Sequence, residues 1–214
     1  MRKNFKTVVK TYNKIAKTYS KITFNRINQF HLNKFISMLP KKAKVIDAGC
    51  GPGREVQYFK DYNIDVIGID AAEEMIKEAK KNVKGAKFKK MDMAKTKFKD
   101  KTFDGIWVSG SIIHEEKCDV QKILEELKRI LKDKGVLYIS VKEGQGSEIK
   151  REEVYNNEPR PFSYYTVPEI EEVIRQAGFQ IICSGFNDDV LKRNETRWID
   201  VYCKKLLLKQ DMHY

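Results

Sequence analysis

Val45-Ile-Asp-Ala-Gly-Cys-Gly-Pro-Gly-Arg-Glu55 is the stretch that decides how this chain reads. An apolar run stops at Asp47, glycines follow at positions 49, 51 and 53, and a helix-like segment begins behind them. That order describes a strand running into a turn. Glycine at alternate positions lets the backbone take positive φ and lie against a ligand with no Cβ atoms in the way. The spacing excludes two phosphate-binding turns. A dinucleotide fingerprint needs G-x-G-x-x-G, yet counting from Gly49 or Gly51 the third position is Arg54 or Val56. A phosphate loop needs Gly-Lys-Ser/Thr, which does not follow.

Working outward, residues 64–70 form a second β-branched run that ends in Asp70, 17 residues past Gly53. Open α/β sheets bind ligands outside the carboxyl ends of their strands, and a carboxylate there can accept two hydroxyl hydrogens, as a ribose diol offers. A helical segment (72–83), a short run into Asp92-Met93 and a fourth run (103–109) come next. The pattern continues as helix 120–131, strand 136–141, helix 167–177 and strands 180–185 and 197–204. Thr166-x-x-Glu169 with Pro168 inside it marks a helix start as a capping box. Strands alternating with helices predict a mostly parallel sheet covered on both faces. Ahead of it, Phe5, Val8, Val9, Tyr12, Ile15, Ala16, Tyr19 and Ile22 recur at helical spacing, giving an amphipathic helix, and a second helix covers 27–39.

Taken in order, Asp47-x-Gly49-x-Gly51-x-Gly53, Gly68-Ile69-Asp70, Met91-Asp92-Met93, Phe103-Asp104-Gly105-Ile106-Trp107 and Leu131-Lys132-Asp133-Lys134-Gly135-Val136-Leu137 resemble the ordered motifs of class I S-adenosylmethionine-dependent methyltransferases. The resemblance spans residues 43–142, with weaker similarity on both sides. It implies a doubly wound, mostly parallel seven-stranded α/β sheet of Rossmann-like type, an antiparallel last strand and N-terminal helices as a cap. S-adenosylmethionine is the implied cofactor, released as S-adenosylhomocysteine. Its methionine part is expected against Gly49, Cys50, Gly51 and Gly53, with Asp47 near the ammonium group, and its ribose on Asp70. Asp92 and the backbone of Met93 are expected at the adenine, with Ala71 and Met75 beside it. Ser109 and Gly110 should line the path of the methyl, and Tyr12 and Tyr19 lie in the segment that closes over the cofactor in many members. Plainer readings stand beside these. Asp47 could cap the turn, Asp92 could be an Asx residue without a ligand, the tyrosines could be core contacts, and Cys50 reads as a small packing residue.

The chain is expected to form a single domain: a basic helical cap (1–42), a cofactor-binding core (43–142), a substrate loop (143–165) and a C-terminal helix with strands (166–214). Of its 42 Lys and Arg, twelve fall in residues 1–46, which contain no acid, so the rest of the chain holds thirty basic and thirty acidic side chains. That asymmetry suits nucleic acid, an anionic surface or a small anion, although lysine-rich helix faces also arise simply as solvated surface. The four cysteines are scattered without metal-ligand spacing, so no metal is expected and reduced thiols in the cytoplasm are the default. No apolar run is long enough to span a membrane.

The connection from 142 to 165 is far longer than the ~2–6 residues usual between strand and helix. It mixes cations with aromatic faces, and Arg160, Tyr164 and Tyr165 are its expected substrate contacts, with Arg197 and Trp198 bordering the same pocket. A loop that packs back on the sheet is the alternative. Transfer from a sulfonium is an in-line displacement that needs alignment above all, and a base only for a weakly acidic acceptor. His114 sits where a base could reach the methyl, though it reads equally as a structural histidine, and His31 and His213 receive no role. The Asn/Asp-Pro-Pro-Tyr/Phe tetrad that holds planar base amines is replaced by Ser109-Gly110-Ser111-Ile112. The expected function is methyl transfer to a small molecule. A tRNA or rRNA methyltransferase using the basic N-terminus and a non-catalytic cofactor-binding subunit are the alternatives, and the oligomeric state is left open.

Overall fold

The computed structural model describes residues 2–188 and 197–206, so His213 lies outside the described residues. Two helices, α1 (Phe5–Thr23) and α2 (Gln29–Ser37), precede β1 (Lys44–Ala48), α3 (Arg54–Asp61), β2 (Asp65–Asp70), α4 (Glu73–Asn82), β3 (Lys87–Lys90) and β4 (Phe103–Ser109). Then come α5 (Lys117–Ile130), β5 (Leu131–Lys142), β6 (Ser147–Lys150), β7 (Arg160–Ser163), α6 (Val167–Gln176), β8 (Phe179–Asp188) and β9 (Arg197–Lys205). Seven strands make one sheet in the order β3-β2-β1-β4-β5-β9-β8. β9 runs antiparallel to both its neighbours, while β1 to β5 pair in parallel. This is the doubly wound architecture with an antiparallel last strand in sequence.

Burial on both faces explains why the central strands read as apolar runs instead of alternating. Val45, Ile46 and Ala48 of β1 are fully buried, as are Ile106 and Val108 of β4. On one face Val120, Ile123, Leu124, Leu127 and Ile130 of α5 recur every three or four residues and are all buried against the sheet. On the other, Trp107 stacks on Tyr138 with ring centroids 3.7 Å apart, and Phe35 of α2 and Phe59 of α3 meet its edge. Gly105 makes that layer possible, because a Cβ there would stand 2.6 Å from Leu39 and 2.8 Å from Phe35. The capping box forms as expected: Thr166 accepts from the Glu169 amide, and the Glu169 carboxylate accepts from the Thr166 amide.

Most boundaries fall within two residues of the sequence reading, and the larger differences are these. α5 starts three residues earlier, at Lys117, and β5 begins at Leu131, directly where the helix ends. β8 extends from Phe179 to Asp188. The stretch expected to be a loop contains an antiparallel hairpin, β6 with β7, joined through a 3₁₀ turn at Glu153–Tyr155. Its short strands carry Pro161 and Lys150 instead of an alternating apolar pattern, so periodicity could not announce them.

α1 is held across the carboxyl edge of the sheet. α4 begins after Ala72, which has no side-chain oxygen to cap a helix, and Asn13 of α1 supplies the missing acceptor by taking the Glu74 amide at 3.0 Å. At the other end of α4, the Asn82 amide donates to Ser20 of α1 and to the Pro52 carbonyl in the glycine turn. β1 and β4 adjoin where the strand order reverses, the crevice in which open α/β sheets hold ligands.

Candidate active site

The turn after β1 takes left-handed backbone at all three glycines, with φ of +83° at Gly49, +49° at Gly51 and +88° at Gly53. They serve different ends. A Cβ on Gly49 would lie 2.3 Å from Ser111 Cβ, so this glycine lets the loop after β4 close against the turn. A Cβ on Gly53 would press on Phe88 and Ala79, which makes it a packing position at the start of α3. A Cβ on Gly51 would meet only Tyr19 at 3.9 Å, so this glycine leaves open space between the turn and α1. The Cys50 side chain is buried in the apolar layer beneath, and a Cβ on Gly68 would come within 2.9 Å of its sulfur. None of Asp47, Cys50 and Gly53 lines the cavity above.

That cavity, about 700 Å³, is lined by Gly49, Gly51, Asp70, Ala71, Met75, Asp92, Met93, Ser109 and Gly110, and is roofed by Phe5, Val8, Val9, Tyr12 and Tyr19 of α1. Asp70, at the end of β2, takes the Gly51 amide on one oxygen at 3.0 Å and the Ala72 amide on the other at 2.8 Å. Each oxygen keeps a further lone pair for a ligand. Burial lifts the Asp70 carboxyl to about 6, although those amides pull it back. Asp47 lies below, 2 % exposed, with Oδ2 lacking any hydrogen-bond partner. Burial first, then Glu55 and Asp70, push its carboxyl well above the usual range. A buried carboxylate oxygen with no partner is costly, and a ligand cation would relieve it. Asp92 accepts from the Ala94 amide through Oδ1 and from Arg2 through Oδ2 at 2.5 Å. Arg2 also donates to Glu115 at 2.8 Å, so the start of α1 is tied down at this end of the cavity.

A second cavity of about 850 Å³ adjoins the first and shares five residues with it: Tyr12, Tyr19, Ser109, Gly110 and His114. Its further lining includes Arg26, Trp107, Tyr138, Lys142, Arg160, Phe162 and Trp198. The hairpin places Arg160 there, 4 % exposed, over the Tyr155 ring and ion-paired with Glu152. The other expected substrate residues are not brought to it. Tyr165 is buried in the core beside Lys117, because strand alternation turns it away from the face that Arg160 and Phe162 share. Tyr164 hydrogen-bonds Glu148 across the hairpin, and Arg197 is held by both oxygens of Glu143, at 2.7 and 2.8 Å.

His114 stands where the cavities meet. Its Nδ1 lies 2.7 Å from the Pro161 carbonyl, which can only accept, so the proton is on Nδ1 and Nε2 accepts from the Tyr12 hydroxyl at 2.7 Å. Burial first, with Arg160 and Lys142 adding to it, lowers His114 to about 3. A neutral imidazole so poor in basicity, with both nitrogens engaged, is suited to fixing Tyr12 and opposes the expectation of a general base. Sequence reasoning missed Trp107 and Tyr138 as cavity residues, since each sits in a strand that reads simply as core, and within the long connection it singled out neither Lys142 nor Phe162 as a contact. Among the described residues no helix is long and apolar enough to cross a membrane.

Comparison with known proteins follows the same lines. Residues 46–139 match the family model described as a methyltransferase domain. Over 116 residues the chain is 28% identical to a malonyl-[acyl-carrier protein] O-methyltransferase of Enterobacter lignolyticus, covering 53% of this chain and 45% of that relative, so it spans under half the relative's length. In structure it is similar to a SAM-dependent methyltransferase of Methanosarcina mazei, with a TM-score of 0.74 at 20% identity, covering 85% of this chain and 99% of the other. A Burkholderia thailandensis 1,6-didemethyltoxoflavin-N1-methyltransferase, solved with bound 1,6-didemethyltoxoflavin and S-adenosylhomocysteine, gives 0.72 at 19% identity, covering 93% of this chain and 88% of the other.

Proposed function

The chain belongs to the class I S-adenosylmethionine-dependent methyltransferases, and from that premise we propose that it transfers a methyl group from S-adenosylmethionine to a small-molecule acceptor. The observation that carries the reading is the pair of adjoining cavities, one on the glycine turn and one beyond it, that share Tyr12, Tyr19, Ser109, Gly110 and His114. Ligands in the two would meet at that shared wall. The polar groups lining the first cavity, with Asp47 buried beneath it, fit the cofactor. The partnerless Asp47 oxygen suits its ammonium group, the space at Gly51 its chain, the free lone pairs of Asp70 its ribose diol, and those of Asp92 its adenine amine. When bound, the cofactor supplies a sulfonium methyl open to in-line attack.

The rest of the work falls to residues of this chain. α1 excludes water by roofing both cavities and is fixed by Asn13, Arg2 and the Tyr12–His114 hydrogen bond. Holding the nucleophile in line with the methyl and sulfur accounts for much of the rate enhancement in such a displacement. The second cavity, walled by Trp107, Tyr138, Phe162 and Trp198 beside the shared residues, supports a small ring-bearing acceptor. Titration calorimetry with S-adenosylhomocysteine, paired with transfer of a labelled methyl group to a metabolite extract, tests the reading. One ligand per chain should bind, and the labelled product should disappear with Asp70→Asn. Binding of a nicotinamide dinucleotide in place of S-adenosylhomocysteine would sink it.

A further inference from the structure

Strand alternation in β4 and β5 builds one wall of the second cavity. Trp107 pairs with Tyr138 and Ser109 with Ser140 across the two strands, and side chains two residues apart on a strand share a face. Two flat rings therefore lie one step behind two small hydroxyl side chains, and all four line the cavity. Serine at both positions leaves room that a larger side chain would fill.

Charge on this lining is matched within the chain. Arg54 is held by Glu55 and Arg160 by Glu152, Lys142 lies 4.2 Å from the centre of the Phe162 ring, and Arg26 is exposed. Glu55 is the one carboxylate on the described lining, and Arg54 already occupies it. Neither a cationic nor an anionic ligand is called for. One polar atom stands outside this balance. The Trp107 indole N–H, on a side chain 2 % exposed, has no hydrogen-bond partner, whereas Tyr138, whose ring stacks on Trp107, donates its hydroxyl to Asp200. An indole N–H can donate and do nothing else. A buried donor without an acceptor is costly, so a ligand filling this cavity should bring a lone pair to it.

We propose that the methyl acceptor is a neutral planar ring compound carrying a ring carbonyl or ring nitrogen, and that Trp107 recognises it by donating its indole N–H to that atom. This rests on the methyl-transfer reading above. The N–H lies in the plane of the indole at its edge, so it meets a flat partner edge to edge. A hydrocarbon ring of the same shape would leave it unpaired, which makes Trp107 a specificity residue. The atom that takes this hydrogen bond is not the one that takes the methyl, and the attacking atom stays free to face the shared wall of Tyr12, Ser109, Gly110 and His114.

Trp107 and Trp198 are the chain's two tryptophans, so its NMR spectrum holds two indole N–H resonances, and Trp198→Phe assigns them. The test titrates N-methylcarbostyril, a neutral flat ring with one carbonyl and no donor, into the full chain saturated with S-adenosylhomocysteine. Methylnaphthalene matches its shape without the carbonyl, and naphthoate and naphthylmethylamine add a negative and a positive charge in turn. N-methylcarbostyril should bind and move the Trp107 indole proton downfield, as a new hydrogen bond does. Methylnaphthalene should bind at least about fivefold more weakly, with no downfield shift, and both charged rings should also bind more weakly than N-methylcarbostyril. Trp107→Phe should remove the difference between N-methylcarbostyril and methylnaphthalene and hold S-adenosylhomocysteine affinity within about twofold. If that variant fails to fold, the resonance shift in the unaltered chain still decides. Equal binding of the two neutral rings, tighter binding of either charged ring, an unmoved Trp107 resonance with N-methylcarbostyril bound, or no binding of it while S-adenosylhomocysteine binds would each overturn the proposal. A downfield shift with S-adenosylhomocysteine alone would assign the N–H to the cofactor and overturn it as well. Failure of S-adenosylhomocysteine itself to bind would instead overturn the cofactor reading beneath it.

Discussion

Substituting alanine at two neighbouring glycines should separate the folding role of the turn from its binding role. Gly49 and Gly51 both hold positive φ, so each Gly→Ala change carries roughly 1–2 kcal/mol of left-handed strain. At Gly49 the new Cβ would also stand 2.3 Å from Ser111 Cβ and 2.8 Å from its Oγ, which donates to the Ala48 carbonyl at 3.0 Å. Forcing a group into packed structure adds ~1–3 kcal/mol, so Gly49→Ala should lose about 2–5 kcal/mol in all. For a chain of this size each 1 kcal/mol moves the melting temperature by about 2–4 °C, giving a drop of roughly 4–20 °C. At Gly51 nothing closer than Tyr19 at 3.9 Å meets the Cβ, so only the strain remains and the melting temperature should fall by about 2–8 °C. That same Cβ would occupy the space assigned to the cofactor, at a further ~1–3 kcal/mol, or about 5- to 150-fold in affinity. Thermal unfolding and calorimetry with S-adenosylhomocysteine read the two effects apart. A folded Gly51→Ala protein that binds the ligand as tightly as the parent would refute the placement of the cofactor on this turn.

Other consequences are measurable in the same assays. Because burial lifts Asp70 to about 6, its carboxylate form is lost as pH falls through that value, and S-adenosylhomocysteine affinity should fall with it. Asp70→Asn should bind weakly with no such pH step, while Glu115→Gln, run in parallel because Glu115 is raised to about 7 beside the same cavity, should keep it. His114 is lowered to about 3, so the unfolded chain binds its proton first, and stability should decline as pH drops from its ordinary value near ~6.5 toward 3. His114→Gln should flatten that decline, seen in denaturant midpoints across the range. Removing the cap that α1 lends to α4, with Asn13→Ala, should cost about 1 kcal/mol and speed S-adenosylhomocysteine release in stopped flow. An unchanged release rate would separate α1 from the gate.

The residues differ in how visible they were before any coordinates. The glycine turn, Asp70 and the apolar strands were legible because each follows a local rule, of positive φ, of strand ends or of double-sided burial. The capping box at Thr166 was legible for the same reason. The second cavity was not. Trp107, Tyr138 and Lys142 line it only because β4 and β5 lie side by side and point those positions to one face, a pairing between distant segments that leaves no local trace. Tyr165 looked like its neighbour Arg160 in composition, but the alternation of the hairpin and the bridge from Tyr165 to Glu143 send it to the core. The acid-free N-terminus was also incomplete as a signal, since Arg2, Lys3 and Lys14 end on Asp92 and Glu115, Glu116 and Glu158 within the chain itself. Asn13 capping α4 across the molecule could not be read from either helix alone.

The most direct test of the account is a crystal structure of the chain grown with S-adenosylhomocysteine. The account predicts the ligand under α1, its amino group directed at the buried, partnerless oxygen of Asp47, its ribose hydroxyls on Asp70 and its sulfur facing the wall formed by Tyr12, Ser109, Gly110 and His114. A ligand bound elsewhere, or one whose sulfur faces away from the second cavity, would contradict it.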